Sequence, residues 1–379
     1  MIGMRFVWGI GVGLSALVLI GGPASAQSQS NSPAPPPALT AEAIDGSDFE
    51  DWRAGADARA KAAEERKAAE EAVRKAKRAR DKKAARERLA RLPKPKDAPD
   101  PFLVRVQTLL DRAHASPGAI DGRDGDNLKK AQIAFREMRG LPLDGGLDRA
   151  LWDALAADTA KATKTYLIYP EDVNGRYEAK LPADYAKLAK LKWLGYRDAV
   201  EMLGERFHVD PGLLRAMNPG VDFKTAGVPI VVPDVGARAE GKVRRITVDK
   251  RLGELRAYDE AGKILLIAPA TIGSPDTPSP EGKMTINGSF PDPHYIYDPK
   301  KNFQQGKNTR KLTLPPGPNG PVGSMWIDLS KPTYGIHGTP EPSQISKTAS
   351  HGCVRLTNWD AAELGRLIEP KVTEVEFEG

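Results

Sequence analysis

The C-terminal part of the chain, from Gly241 to Gly379, consists of short runs of β-branched and aromatic residues separated by turn-forming residues. Such runs favour strands, and Asp259 to Gly262 is a candidate hairpin loop between two of them. We predict one helix in this part, over Asn358 to Ile368, with Thr357 or Asn358 as its cap. Six or more short strands in about 135 residues predict a β-sandwich or barrel. The predicted strands are Val243 to Val248, Leu255 to Tyr258, Ile264 to Ala268, Met284 to Ile286, Ser324 to Leu329 and Val372 to Phe377.

Residues 57–92 consist largely of Ala, Lys, Arg and Glu and contain neither Pro nor Gly. These residues form helices well, and pairs such as Glu70 with Arg74 stand four apart in the order that stabilises a helix. We expect a charged single helix that lacks the apolar heptads of a coiled coil and serves as a spacer or rests on an anionic polymer. Prolines from Pro93 onward end it.

Most of the positive charge lies in this helix. The net charge of the chain is +6, and between Lys61 and Arg91 thirteen Lys or Arg stand against six Asp or Glu, so all other residues sum to −1. A folded part close to neutral lacks the basic surface that nucleic-acid binding requires. We therefore expect no nucleic-acid partner.

Residues 1–26 have the pattern of a secretory signal peptide. A basic tip at Arg5 precedes an apolar stretch from Phe6 to Ile20 and an Ala-x-Ala ending at Ala26. This pattern predicts cleavage after Ala26 and export to the periplasm or cell envelope. The apolar stretch is shorter than the ~20 residues that span a bilayer, so we expect no stable transmembrane anchor. Residues 27–56 begin with Ser, Asn, Pro and Ala and predict a disordered linker.

Residues 100–160 carry apolar side chains at helical spacing around two Asp-Gly turns, a pattern that predicts three short helices. The stretch resembles the peptidoglycan-binding type 1 module, among others through Ala131 to Phe135 and Ala150 to Trp152. The resemblance implies a small three-helix domain that binds cell-wall glycan or peptide, or that only packs against an enzyme.

Residues 184–235 predict a second small unit with two helices and a terminal strand. Asp210-Pro211 begins the second helix, Asn218-Pro219-Gly220 ends it, and Val228 to Val232 is a short strand. The stretch resembles the later part of a LysM module, in which a helix, an Asn-Pro step and a strand ending in Val-Pro recur. The opening strand of that family is missing from this stretch, so the unit either binds glycan or acts as a spacer.

Cys353 is the only cysteine in 379 residues. Exported proteins usually carry cysteines in disulfide pairs, so a single one indicates a reactive thiol or a bridge to another chain, unless it is a small buried apolar residue. Its neighbours His351, Gly352 and Arg355 favour the reactive thiol, and His337 precedes it by sixteen residues.

Acyl transfer by a thiol requires a base, a cation that favours the thiolate and backbone donors for an oxyanion. At strand spacing, His351, Cys353 and Arg355 point to one face of the chain. Arg355 would lower the pKa of the thiol or hold a substrate carboxylate, and Gly352 permits a tight backbone with an exposed amide. These residue types also bind zinc, but no fourth ligand with suitable spacing is evident, so we expect neither metal nor cofactor.

The span from Pro275 to Asn319 is dense in Pro, Gly and charged residues. It predicts long loops that form a substrate channel or lid. We assign Trp326 to the core, whereas Tyr334 suits either the core or a wall of the substrate site.

The stretch around Cys353 resembles the catalytic motif of the L,D-transpeptidase (YkuD) family. In that motif a His-Gly pair is followed, about one loop length later, by Ser/Thr-His-Gly-Cys and often by Val/Ile-Arg-Leu. The matching positions are His337-Gly338 and Ser350-His351-Gly352-Cys353-Val354-Arg355-Leu356. The resemblance covers residues 241–379 and implies a mainly-β catalytic domain, which makes the whole chain a multidomain α+β protein.

Carried over position by position, the resemblance implies a thioester mechanism. Cys353 is the nucleophile, and His337 is the general base and then the acid. The positions that orient the base or shape the oxyanion pocket are Gly338, His351 and Gly352. The substrate-binding positions are Arg355, Ser350 and Tyr334.

The resemblance further implies an enzyme that releases D-Ala from a peptidoglycan tetrapeptide stem and transfers the acyl group to the amine of a neighbouring stem, which cross-links the cell wall. Carbapenems are the expected covalent inhibitors. Water or a protein lysine as acceptor would make the protein an L,D-carboxypeptidase or a protein-to-wall ligase, and the sequence does not separate these. A non-catalytic wall-binding scaffold, for which the two small units would suffice, is the alternative from another class.

Overall fold

The computed structural model describes residues 38–76, 78–91, 98–273, 279–300, 303–348 and 352–379. The expected signal peptide and the first part of the expected linker, up to residue 37, lie outside these ranges. From residue 38 onward the chain packs as one unit. In the described part, no helix combines the length and the apolar character needed to cross a membrane.

The first three helices correct two expectations. Helix α1 spans Ala41–Asp45, α2 spans Phe49–Lys75 and α3 spans Ala79–Arg91. Most of residues 41–56 is therefore helical rather than disordered, because Ile44 and Phe49 are buried against the units that follow. The charged region forms two helices instead of one, since α2 ends at Lys75 and Ala76 has an extended backbone.

Three further helices lie within residues 100–160. They are α4 (Pro101–Arg112), α5 (Asp126–Arg139) and α6 (Arg149–Ala156). The side chains of Asp100 and Asp148 accept hydrogen bonds from the first turns of α4 and α6, as helix caps do. Phe102, Phe135 and Trp152 meet in the shared core.

A strand that precedes residues 184–235 pairs with the terminal strand of this stretch. Strand β1 (Thr163–Leu167) pairs antiparallel with β2 (Pro229–Pro233), with Thr163 opposite Pro233. The helices of the unit are α7 (Pro170–Val173), α8 (Tyr185–Leu188), α9 (Ala199–Arg206) and α10 (Pro211–Met217). The sequence did not indicate β1 as part of this unit, because two short helices, α7 and α8, separate the strand from the rest of the unit.

The C-terminal part is a sheet with one helix packed on it. Its strands are β3 (Arg245–Asp249), β4 (Glu254–Tyr258), β5 (Ile264–Pro269), β6 (Gly282–Pro291), β7 (Tyr295–Tyr297), β8 (Leu312–Leu314), β9 (Met325–Leu329), β10 (Gly335–His337), β11 (Val354–Arg355) and β12 (Glu374–Glu378), and its helix is α11 (Asn358–Leu367). Eight strands form one sheet in the order β11-β10-β9-β6-β12-β3-β4-β5, while β7 and β8 form a separate hairpin. The six strands predicted from the sequence correspond to β3, β4, β5, β6, β9 and β12.

The predicted β-sandwich or barrel is a single sheet that curls at β6. The first half of β6 pairs with β12 and the second half with β9, and the register shifts between Ile286 and Gly288. A bulge of this kind bends a strand, so one long strand serves both halves of the sheet. Thr271, which follows the end of β5, forms an antiparallel bridge with Arg355 of β11. The two edge strands of the curled sheet therefore meet at this point.

The β7–β8 hairpin lies inside the span from Pro275 to Asn319, for which we predicted long loops apart from the strand at Met284 to Ile286. Tyr297 and Leu314 are fully buried and pack with Leu188 of α8. The prediction missed these two strands, because an apolar partner from outside the span stabilises them.

The α4–α5 loop covers part of the outer edge of β5. Ala115 forms a parallel bridge with Ile267. The amide of Ser116 donates to the carbonyl of Ile267 at 2.8 Å, and the amide of Ile267 donates to the carbonyl of His114 at 2.9 Å. This pairing satisfies backbone groups that an open strand edge would leave available to other chains.

Candidate active site

Two short strands position the candidate catalytic residues. β10 and β11 are parallel neighbours, with Ile336 opposite Val354 and His337 opposite Arg355. Ile336 and Val354 are fully buried in the core. Because side chains alternate along a strand, His337 and Arg355 point to the opposite face. Cys353 lies directly before β11, where the charge of Arg355 acts on its thiol.

The imidazole of His337 is buried and held in one orientation. Its Nδ1 lies 2.7 Å from the carbonyl oxygen of Gly338, and its ring stacks on Trp326 with the centroids 5.7 Å apart. A protonated Nδ1 that donates to this carbonyl leaves Nε2 as the basic nitrogen. Burial, assisted by the nearby charge of Arg355, lowers the pKa of His337 to about 3, so the ring is neutral at physiological pH.

Cys353 follows a residue, Gly352, whose backbone conformation favours glycine. Gly352 has a φ of 107°, in the left-handed region. The Sγ of Cys353 lies 3.7 Å from the carbonyl oxygen of Thr333. Burial raises the pKa of the thiol, while a hydrogen bond from the backbone of Gly335 and the charge of Arg355 act in the opposite direction.

Both candidate reacting groups are therefore neutral at rest. Burial lowers the pKa of His337 and raises that of Cys353, which disfavours an ion pair of imidazolium and thiolate. A thiol in this state needs a base that removes its proton as it attacks, and Nε2 of His337, opposite Arg355 in the strand register, is the candidate base. The arrangement suits nucleophilic acyl transfer.

Asn358 supports the backbone of the site, a role that the sequence reading missed. Its Oδ1 accepts hydrogen bonds from the amides of Thr339 at 3.0 Å and Ser324 at 3.1 Å. A Cβ on Gly338 would lie 2.1 Å from this oxygen, so the His-Gly pair requires its glycine. The sequence indicated only a helix cap here, and in the structure Thr357 provides that cap.

Ser279 is a second supporting residue that the sequence did not indicate. Its hydroxyl donates to the carbonyl of Gly352 at 2.8 Å and accepts from the amide of Gly273 at 3.0 Å. These bonds hold the residue before Cys353 in its left-handed conformation. Hydrogen bonds between such distant residues leave no local pattern in a sequence.

Residues 243–376, which span this sheet and site, match the family model described as the YkuD L,D-transpeptidase catalytic domain. A protein of Bacillus licheniformis named as the L,D-transpeptidase YkuD is 30% identical over 183 residues, which cover 48% of this chain and 93% of the relative. The chain belongs to the L,D-transpeptidase (YkuD) family. The expected L,D-transpeptidase enzyme and its mainly-β catalytic domain are thereby confirmed.

Other L,D-transpeptidases are similar to the chain to differing extents. The protein of Bacillus subtilis named YkuD is 28% identical over 190 residues, covering 47% of this chain and 92% of the relative. A solved structure, an L,D-transpeptidase from Mycobacterium smegmatis, aligns with 19% identity and a TM-score of 0.30 over 41% of this chain and 65% of its own.

Not every residue assigned to the L,D-transpeptidase site from the sequence lies at the described thiol. Ser350 and His351 fall outside the described residues, and their roles stay predictions. Tyr334 packs against the core of the sheet, with the Nζ of Lys331 5.0 Å from its ring centroid. It shares the face of Ile336 rather than that of His337, and its part in substrate binding also stays a prediction.

An open cavity of about 550 Å³ adjoins the L,D-transpeptidase site, a volume typical of ligand pockets. Trp326, which stacks on His337, forms one wall and is only partly buried, so its assignment to the core is wrong. Thr333, whose carbonyl faces the thiol, forms another wall. The exposed side chains of Phe290 and Ile296 add apolar surface, at 52% and 57% exposure.

Among the residues that the structure describes, no group of three or more His, Cys, Asp or Glu side chains is arranged to hold a metal ion. His351, one of the three candidate zinc ligands in the sequence, lies outside these residues.

Proposed function

We propose that this L,D-transpeptidase is exported and cross-links peptidoglycan through a thioester on Cys353. The donor is a tetrapeptide stem that loses its terminal D-Ala, and the acceptor is the amine of a neighbouring stem. The observation that carries the proposal is the register of β10 and β11, which sets His337 opposite Arg355, two residues after Cys353. The orientation of His337 by the Gly338 carbonyl supports it, because Nε2 is left as the base.

The first half of the reaction is acylation. As the Sγ of Cys353 attacks the carbonyl carbon between the third residue and D-Ala, the Nε2 of His337 takes the thiol proton. The resulting oxyanion is stabilised by the amides of Gly352 and Cys353, with His351 shaping the pocket. When the C–N bond breaks, His337 gives the proton to the leaving nitrogen, D-Ala departs and a thioester remains.

The second half transfers the acyl group. The amine of a neighbouring stem attacks the thioester carbon and passes a proton to Nε2 of His337. The C–S bond then breaks, the sulfur of Cys353 recovers the proton, and a new amide joins the two stems. Two side chains move every proton in this cycle, and no cofactor takes part.

Other parts of the chain would bring the enzyme to its substrate. Cleavage after Ala26 would deliver it to the cell envelope. The α4–α6 unit and the β1–β2 unit would bind wall glycan or peptide. At the site itself, Arg355, Ser350 and Tyr334 would contact the donor stem.

Covalent labelling by a carbapenem tests the nucleophile. The wild-type protein should gain the mass of one carbapenem and Cys353→Ala should gain none. His337→Gln should slow labelling by about 10²–10⁴-fold, since general base catalysis contributes that much. A thermal melt of each variant checks that it is folded. If the wild type forms no adduct and releases no D-Ala from a tetrapeptide, the proposed function is wrong.

The products formed from a disaccharide tetrapeptide identify the acceptor. A cross-linked dimer in the mass spectrum supports the transpeptidase. Tripeptide alone would instead indicate an L,D-carboxypeptidase, and intact substrate would indicate a wall-binding scaffold.

A further inference from the structure

A segment from outside the catalytic domain packs against that domain beside the active site. This α8 segment, residues 181–195, leaves the β1–β2 unit and reaches the β7–β8 hairpin. Backbone hydrogen bonds join the amide of Leu194 to the carbonyl of Pro316 at 2.8 Å and the amide of Asn319 to the carbonyl of Leu194 at 2.9 Å. The buried apolar side chains that meet there are Leu188, Leu194, Tyr297 and Leu314.

Polar contacts with the β7–β8 loop fix the α8 segment at Tyr185. The Oε1 of Gln305 accepts from the amide of Tyr185 at 3.1 Å, and the Nε2 of Gln305 donates to the carbonyl of Ala183 at 2.8 Å. Asn308 in turn donates to the same Oε1 at 2.6 Å. Because the backbone is held at residues 183 and 185, the position of the Tyr185 Cα, from which the side chain projects, is fixed.

The ring of Tyr185 lies in an aromatic cluster with Tyr295 and Tyr297. Its centroid is 5.3 Å from that of Tyr297 and 6.1 Å from that of Tyr295, with the planes at 88° and 82°. Burial raises the pKa of Tyr185 to about 12, and the charge of Arg355 acts against this shift. Tyr295 is within electrostatic reach of both Tyr185 and Cys353. Tyr295 lines the same cavity as Thr333, whose carbonyl faces the thiol, so the ring of Tyr185 packs behind a wall of this cavity and within reach of the charge of Arg355.

Arg355 carries a partly buried positive charge that no described carboxylate neutralises. Its Nε is buried without a hydrogen-bond partner in the described part of the chain. The groups that favour its charged form are the thiol of Cys353 and the phenol of Tyr185, and both are uncharged at neutral pH. Burying an unpaired guanidinium is costly, so the arrangement favours an anion that a ligand supplies.

Arg355 also lies beside the position that the leaving group occupies in the proposed reaction. It is directly opposite His337 in the β10–β11 register. In the proposed reaction His337 delivers a proton to the leaving nitrogen. The carboxyl carbon of an amino acid is two bonds away from its nitrogen, so a leaving group placed for this proton transfer presents its carboxylate to the neighbour of His337.

We propose that Tyr185 is a specificity-determining residue, supplied from outside the catalytic domain, which together with Arg355 binds the terminal carboxylate of the donor stem. The guanidinium of Arg355 forms the ion pair, and the hydroxyl of Tyr185 donates a hydrogen bond to the same carboxylate. This inference rests on the proposed function, because the carboxylate belongs to the D-Ala that the reaction releases. The pocket selects stems that end at the residue to be removed and rejects stems that are amidated or longer there.

Two donor peptides that differ only at the terminal carboxylate test the inference on the full chain. One donor is a disaccharide tetrapeptide that ends in a D-Ala carboxylate, and the other is the same peptide ending in D-Ala amide. Since a hydrogen bond to a charged group changes binding by about tenfold to a hundredfold, the wild type should prefer the carboxylate donor by at least about tenfold in kcat/KM.

Tyr185→Phe keeps the ring and removes only the hydroxyl. We expect about tenfold lower kcat/KM on the carboxylate donor, mainly through KM, and no change on the amide donor. Tyr177→Phe is the matched control, because it removes a hydroxyl earlier in the same unit that donates to the Asp172 carbonyl, and both donors should react as with the wild type.

Three outcomes would overturn the inference. An equal loss on both donors in Tyr185→Phe would show that the residue only holds the fold. A wild type that forms a carbapenem adduct and releases D-Ala but does not distinguish the donors would leave the proposed function standing and refute the pocket. A wild type with neither adduct nor D-Ala release would refute the proposed function and the pocket together.

Discussion

The side-chain amide of Asn358 connects the catalytic loop to the β1–β2 unit. Its Oδ1 accepts from two backbone amides, one of them at Thr339 beside the His337-Gly338 pair. Its Nδ2 donates to the carboxyl of Glu205 at 2.9 Å and to the carbonyl of Pro318 at 3.2 Å. One planar group therefore fixes the backbone that carries His337.

Asn358→Asp keeps an acceptor for the two amides and loses the donor to Glu205. We expect kcat to fall by about tenfold to a hundredfold with KM nearly unchanged, because the Glu205 carboxyl and the Pro318 carbonyl lose their N–H donor and the loop that carries His337 shifts. Steady-state kinetics on the tetrapeptide donor measure both constants. Adding Glu205→Gln restores a donor across this contact and should recover most of kcat. Absence of rescue, or a loss confined to KM, would rule out the positioning role.

Elements with a long apolar pattern were predictable, and elements defined by distant partners were not. β3, β4 and β5 were found to within about two residues because each alternates or runs apolar between turn residues. β10 and β11 have three and two residues, too few for a pattern. The family was still predictable, since the residue types and spacing of His337 and Cys353 match its motif without the strands.

The supporting contacts of the site were not predictable for a related reason. Tyr185 and Gln305 are 120 positions apart, and Asn358 and Glu205 are 153 positions apart. A contact at such separation leaves no periodicity and no turn signal in either segment. The α8 segment was therefore read as part of a separate small unit.

A turn between α5 and α6 depends on one arginine. The guanidinium of Arg136 is 1% exposed and donates to the carbonyls of Pro142 and Gly146, each at 2.9 Å. It also pairs with the carboxylate of Asp148 at 2.6 Å. A Cβ on Gly145 would lie 2.3 Å from this guanidinium, which explains the glycine of the second Asp-Gly turn.

Arg136→Met should lower the free energy of unfolding by about 2–3 kcal/mol, because two carbonyls and a carboxylate lose their donor. Urea denaturation of the full chain measures the change. Arg139→Met, on the exposed face of the same helix, is the matched control and should change the free energy by less than about 1 kcal/mol. Equal losses in the two variants would show that the guanidinium does not hold the turn.

At the scale of the whole molecule, polar side chains from three units meet against α11. The Nδ1 of His208 lies 2.8 Å from a carboxylate oxygen of Asp111, and its ring stacks on Trp359 with the centroids 5.1 Å apart. The hydroxyl of Ser116 donates to the carboxyl of Asp360 at 3.0 Å. The small units, whatever they bind, are therefore packed parts of the enzyme body.

Titration of Glu205 should make the free energy of unfolding depend on pH. Burial raises its pKa from 4.5 to about 8, so the folded protein holds a proton that the unfolded chain has lost between these values. Its contribution to the free energy of unfolding is complete below about pH 4.5 and is lost as the pH rises through about 8. Denaturation across this range should show the decline, and Glu205→Gln should flatten it. An unchanged slope in the variant would assign the decline to other groups.

The main-chain hydrogen bonds between residues 114–116 and Ile267 affect whether the sheet and the helical unit can be separated in evolution. Because they do not depend on side-chain identity, sequence drift on either side leaves them intact. A gene fragment encoding the sheet without its helical neighbour would yield a protein with a bare β edge, a template on which further copies can stack into fibres. Selection against such fibres would keep the two coding segments together, whether or not the helices ever touch the cell wall.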